Sequence, residues 1–154
     1  MKIRRIVLLI ACFAIMRPAW TLQDSDKPED WFNAARADLE VAELVMKETP
    51  HYGHVCFLAH QAVEKSLKGA LLASGVTPEK GHLNARFLTE LARYRPELQG
   101  FGSEARSLDG MYVPSRYPKL GFPKFTKERA TQCLEKAKQI SQAVTTKPQT
   151  ALQH

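Results

Sequence analysis

The stretch Tyr52-Gly53-His54-Val55-Cys56-Phe57-Leu58-Ala59-His60-Gln61-Ala62-Val63-Glu64-Lys65-Ser66-Leu67-Lys68-Gly69-Ala70-Leu71-Leu72-Ala73-Ser74-Gly75 decides the fold class. Its spacing predicts a helix from about Tyr52 to Ser74, stopped by Gly75, a residue favoured just past helix ends. At roughly 100° per residue, Leu58, Ala59, Ala62, Val63, Leu67 and Ala70 form a wide apolar arc. His60, Gln61, Glu64, Lys65 and Lys68 occupy the other arc, with Phe57, Leu71 and Leu72 interleaved among them. A polar stripe mixed with large apolar side chains suggests a face covered by a second subunit or lining a cleft. The alternative is a solvated stripe with a Glu64–Lys68 i,i+4 pair.

The same periodicity extends to both sides, and no useful strand-like alternation appears. A first helix is expected over about Lys27 to Glu48, with Pro28 suiting an early position and Thr49-Pro50 ending it. Trp31, Ala34, Ala35, Leu39, Ala42, Val45 and Met46 share its apolar face. Asp38 falls in the middle of that face, where a carboxylate needs a partner or a proton. It is either a structural acid, paired or capping, or a group that orients an arginine or lysine in a site. A third helix is expected over His82 to Tyr94 and a short fourth over Gly102 to Met111. Two prolines then flank Arg116 and Tyr117, so Val113 to Pro118 is expected to be irregular. Thr126 can cap a last helix over Lys127 to Val144. Short links between helices favour an all-α, up-and-down helical bundle of four main helices plus a short extra helix.

A formal net charge of +6 arises mostly from residues 1–23, which carry Lys2, Arg4, Arg5, Arg17 and no acid. The rest holds 18 basic and 16 acidic residues, too balanced for a protein that coats nucleic acid. Within it, Met111 to Lys138 is locally basic. Met1 to Trp20 has a basic start and an eleven-residue apolar run, Ile6 to Met16, too short to span a bilayer as a helix. It has the length of a signal-peptide core but a poor cleavage site, so residues 1–23 read as a signal or a non-native leader. Residues 24–145 form the domain, and 146–154 a flexible tail. Cys56 and Cys133 lie on apolar helix faces and read as separate small buried hydrophobes; their spacing fits neither a zinc motif nor a disulfide framework. Without a disulfide framework, a cytoplasmic location is slightly favoured over secretion.

The blocks Ala37-Asp38-Leu39, Ala42, Cys56 to Gly69, Lys80-Gly81-His82-Leu83 and Tyr112 to Pro118, in that order and spacing, resemble the HEPN domain family over roughly Trp31 to Val144. The most specific part is Gln61-Ala62-Val63-Glu64-Lys65-Ser66-Leu67-Lys68. The variety it is most similar to is the sacsin-type HEPN domain, found at the carboxyl end of a chaperone-like protein. That resemblance implies a helical bundle assembled as a homodimer, with a nucleotide such as GTP or ATP as ligand and no required cofactor. It also implies protein partners of the chaperone-related or nucleotidyltransferase type, and no stable membrane span.

Ribonuclease members of the family carry an arginine followed by a histidine four to six residues later, an acid–base group beside a phosphate-stabilising cation. Here Leu120, Gly121 and Phe122 stand where that histidine should follow Arg116. The resemblance therefore implies a protein that is not an enzyme: a non-catalytic nucleotide- or polyanion-binding module. Lys65, Lys68, Arg116 and Lys119 are its candidate phosphate ligands, with Gln61 and Tyr117 as neighbours to the nucleotide. Two other readings stand beside it. One is a purely structural dimerisation domain, with Lys65 and Lys68 in interfacial salt bridges and Arg116 paired with Asp38 or Glu64. The other, disfavoured, is a ribonuclease using His60 or His82.

Overall fold

The computed structural model describes residues 24–119, 121–122 and 124–146. The leader 1–23, Leu120, Pro123 and the tail from residue 147 lie outside them. Five α-helices follow one another: α1 (Pro28–Glu48), α2 (Tyr52–Ala73), α3 (Asn84–Leu91), α4 (Gly102–Arg116) and α5 (Lys127–Thr145), with a 3-10 turn at Pro96–Phe101 before α4. No strand occurs among the described residues. The all-α bundle is thus as expected, with α3 rather than α4 as the short helix.

α2 is the central element and packs against α1, α3, α4 and α5. Val55, Cys56, Ala59, Ala62, Val63, Leu67 and Leu71 on it are fully buried. Leu88 and Leu91 of α3, Leu108 of α4, and Ile140 and Val144 of α5 close around them. Each such aliphatic side chain contributes roughly 1.5–3 kcal/mol by leaving water. α1 lies close on α2 because Gly69 has no side chain: a Cβ there would meet the Phe32 ring at 2.8 Å and the Pro28 carbonyl oxygen at 3.1 Å. Pro28 at the start of α1 gives up no hydrogen bond, and Glu29 and Asp30 suit its positive end. Thr126 caps α5, accepting from the Arg129 N–H.

Three local expectations are corrected. α4 does not stop at Met111 but runs through Pro114 to Arg116. Near a helix end, a proline forfeits a single hydrogen bond, and the stop comes one residue later, where Pro118 holds Tyr117 extended. α3 is shorter than predicted: Gly81 at φ +152 and an extended Leu83 keep His82 outside it. Finally, Cys56 and Cys133 are buried but not separate. They form a disulfide joining α2 to α5 across 77 positions of sequence. Sequence spacing carries no information about such a long-range meeting.

The bridge gives a stability prediction. In the chain-entropy account, closing a loop of this length stabilises by roughly 4 kcal/mol. The double substitution Cys56→Ala/Cys133→Ala should lower the unfolding free energy measured in urea by about 2–4 kcal/mol. A loss under about 1 kcal/mol would contradict a stabilising role for the bridge.

Candidate functional site

The line Phe57, His60, Gln61, Glu64 and Lys68 on α2 faces α3 and α4, and two carboxylates organise it. Asp109, projecting from α4, accepts from the N–H groups of Asn84 (2.8 Å) and Ala85 (3.0 Å), the first donors of α3. It also accepts from Nε2 of the fully buried His60 at 3.2 Å. Asp109 therefore caps α3 from outside the helix, satisfying N–H groups that otherwise have no partner. His60 is fixed in the same stroke, its Nδ1 lying 3.4 Å from the Gln61 amide nitrogen.

Glu64 is the second centre and is nearly buried. Lys68 Nζ donates to Oε1 at 2.8 Å, and His82 Nδ1 donates to Oε2 at 3.1 Å. Gln61 adds a longer bond at 3.4 Å. Lys68 is further held within 5.3 Å of the Trp31 and Phe87 rings. The His82 side chain is 58% exposed, so the ring meets solvent while Glu64 holds its Nδ1.

Tyr112 links these centres to the surface. Its ring stacks on His60 at 4.5 Å and on His82 at 5.4 Å. Its hydroxyl accepts from Arg116 Nη1 at 2.5 Å, a contact that exists only because α4 continues through Pro114 and sets the two at i and i+4. The Arg116 guanidinium lies 5.4, 5.1 and 5.5 Å from the rings of Phe57, Tyr112 and Tyr117. No carboxylate among the described residues pairs with it. Leu83, Val113 and Tyr117 are exposed apolar side chains on these same segments.

The six residues named from sequence thus divide. Arg116 and Tyr117 meet at the surface, and Gln61 lies in the polar network beneath. Lys119 is exposed three residues beyond Arg116. Lys68 is held inside by Glu64. Lys65, roughly 60° further round α2, is bound to Asp38 at 2.5 Å. Asp38 is accordingly a paired structural acid, and Arg116 pairs with neither Asp38 nor Glu64. Sequence reading missed Asp109, although its position between the inward residues Ala105 and Tyr112 is the same kind of signal that singled out Asp38.

A groove of about 1220 Å³ runs along the opposite side of α2, between α1 and α5, floored by Phe32, Leu39 and Ala70. None of the six residues lines it. On its polar rim Lys138 pairs with Glu43 and Arg95 donates to the carbonyls ending α5, while the exposed Arg36 has, among the described residues, only the Asn33 amide oxygen as partner. No described helix is long and apolar enough to cross a membrane.

A helical bundle with a charged, aromatic-rimmed surface over its central helix defines the class. The HEPN domain profile matches residues 28–147, and the chain belongs to the HEPN domain family. A protein of Methanocaldococcus jannaschii named as a candidate toxin, MJ1304, is 27% identical over 123 residues, covering 71% of this chain and 80% of its own length. The structure of TT1696 from Thermus thermophilus superposes with a TM-score of 0.68 at 30% identity, covering 79% of this chain and 98% of that one. ST0689, an archaeal HEPN homologue, gives 0.63 at 30% identity, covering 77% and 95%.

Asp109 is the test of the site's architecture. Asp109→Ala strips a cap and the partner of a buried imidazole, and should lower stability by at least about 2 kcal/mol in urea unfolding. A change under about 0.5 kcal/mol would contradict its central role.

Proposed function

We propose that the chain is a homodimerising module of the sacsin-type variety that binds a phosphate-bearing ligand, a nucleotide foremost, at Arg116. The observation that carries this is the state of Arg116: exposed, held by three rings and a tyrosine hydroxyl, and unpaired by any described carboxylate. A guanidinium fixed in this way loses little freedom when it meets phosphate oxygens, and it can engage them with two parallel bonds. The exposed Leu83 and Val113 support a face that a second copy covers. HEPN domains commonly dimerise. Binding does not require chemistry, and the family's arginine–histidine spacing is absent.

Light scattering should give the mass of two chains. Calorimetric titration with nucleoside phosphates should show binding that Arg116→Ala weakens roughly 10- to 150-fold, the worth of a charged hydrogen-bonded contact. A monomer would refute the assembly, and an unchanged affinity in the variant would refute the site.

A second reading, RNA cleavage, is favoured by one arrangement. Glu64 orients His82, whose Nε2 could take the proton of a ribose 2′-hydroxyl as its oxygen bonds to phosphorus; the bond to the 5′-oxygen breaks, water protonates that oxygen, and Arg116, across Tyr112, stabilises the phosphorane. The toxin name of the Methanocaldococcus relative points the same way. On this reading labelled single-stranded RNA is cut, and His82→Ala slows cutting by about 10²–10⁴-fold. Absence of turnover at stoichiometric protein, or equal rates in the variant, would sink it.

A further inference from the structure

The charge pairing within the fold narrows the ligand class of the Arg116 site. Four cations could have held a polyphosphate, but two are already neutralised. Lys65 is bound to Asp38 at 2.5 Å and Lys68 to Glu64 at 2.8 Å. In the second pair both side chains are less than one-tenth exposed, so breaking it would strand a buried charge. α2 therefore brings no free cation to Arg116. The cation nearest to Arg116 along the chain is the exposed Lys119, three residues on. A phosphomonoester carries about two negative charges, which these two cations match. The further phosphates of a di- or triphosphate find no cation on α2 to meet them.

The apolar side of the site favours an attached base. Tyr117 is 50% exposed, and Phe57, half-buried, reaches the surface beside the guanidinium. Tyr112 is not available for stacking, since its ring already lies against His60 and His82. One free ring next to a fixed arginine can hold a single base, and base stacking tolerates any base identity.

Resting on the binding reading above, we propose that the site takes a nucleoside monophosphate, one per chain, and gains little from a second or third phosphate. The test is calorimetric titration of the full chain with AMP, ADP, ATP, GMP, GTP, adenosine and inorganic phosphate. The expected result is one monophosphate per chain. ATP and GTP should bind no more than about threefold tighter than AMP and GMP, because added phosphates gain little in screened solvent. Adenosine and inorganic phosphate should each bind at least about tenfold more weakly than AMP, by the loss of the arginine contact or of the stack. Arg116→Ala should weaken AMP by a similar factor while the free protein keeps its helical circular-dichroism spectrum.

An affinity rising about tenfold or more from mono- to triphosphate would overturn the proposal, since each such step needs a further cation contact. So would one ligand per two chains, which would mark a site shared between copies, or inorganic phosphate binding as tightly as AMP. If none of the compounds binds, the binding reading itself falls and takes this inference with it, an outcome distinct from triphosphate preference.

Discussion

The Asp109 carboxylate accepts from two main-chain N–H groups of α3 and from the imidazole of His60 on α2, while itself standing on α4. Three of the five helices therefore meet at one group. The constraint behind this is the placement of α2, which is packed by every other helix. A helix surrounded in this way has little solvated surface on which to leave polar residues, yet its sequence carries His60, Glu64, Ser66 and Lys68, all buried. Buried polar groups are costly unless hydrogen-bonded. Each of these has a partner: Asp109 for His60, Lys68 and His82 for Glu64, and Ser141 of α5 for Ser66 at 3.0 Å.

The surface chemistry follows from that interior satisfaction. Lys65 and Lys68 are spent on Asp38 and Glu64, so the basic character of α2 never reaches solvent as free charge. Arg116 differs because its partners are rings and a hydroxyl rather than a carboxylate. The chain from Asp109 through His60 and Tyr112 to Arg116 is a continuous set of contacts from the core to the surface, and it fixes a guanidinium without neutralising it. An ion pair is weak evidence for stability in itself, but the part-buried Lys65–Asp38 and buried Lys68–Glu64 pairs have a clear consequence for which cations remain to bind a ligand.

Much of this was legible in the sequence. The boundaries of α1, α2 and α5 were readable because each has a long apolar repeat and a chemical stop: Thr49-Pro50, Gly75 and the Thr126 cap. Asp38 stood out because an acid in an apolar stripe demands a partner. What stayed hidden was tertiary. Pro114 read as a helix breaker, because the local rule cannot say that one lost hydrogen bond is tolerable beside the helix end. That misreading concealed the i,i+4 relation of Tyr112 and Arg116. The Cys56–Cys133 bridge joins residues whose separation says nothing of their meeting. Lys65 and Lys68 looked like ligands because nothing in α2 alone shows that Asp38 faces one of them.

The central claim is that Arg116, and not the lysines of α2, is the phosphate-facing cation of this HEPN domain. Amide and side-chain NMR shifts of the isotopically labelled chain, followed while AMP is added, test it most directly. The account predicts that the largest changes fall on Tyr112 to Lys119 and on His82, with Lys65, Lys68 and their acidic partners unmoved. Changes centred on Lys65 and Asp38, or on Phe32, Leu39 and Ala70 in the groove between α1 and α5, would contradict it.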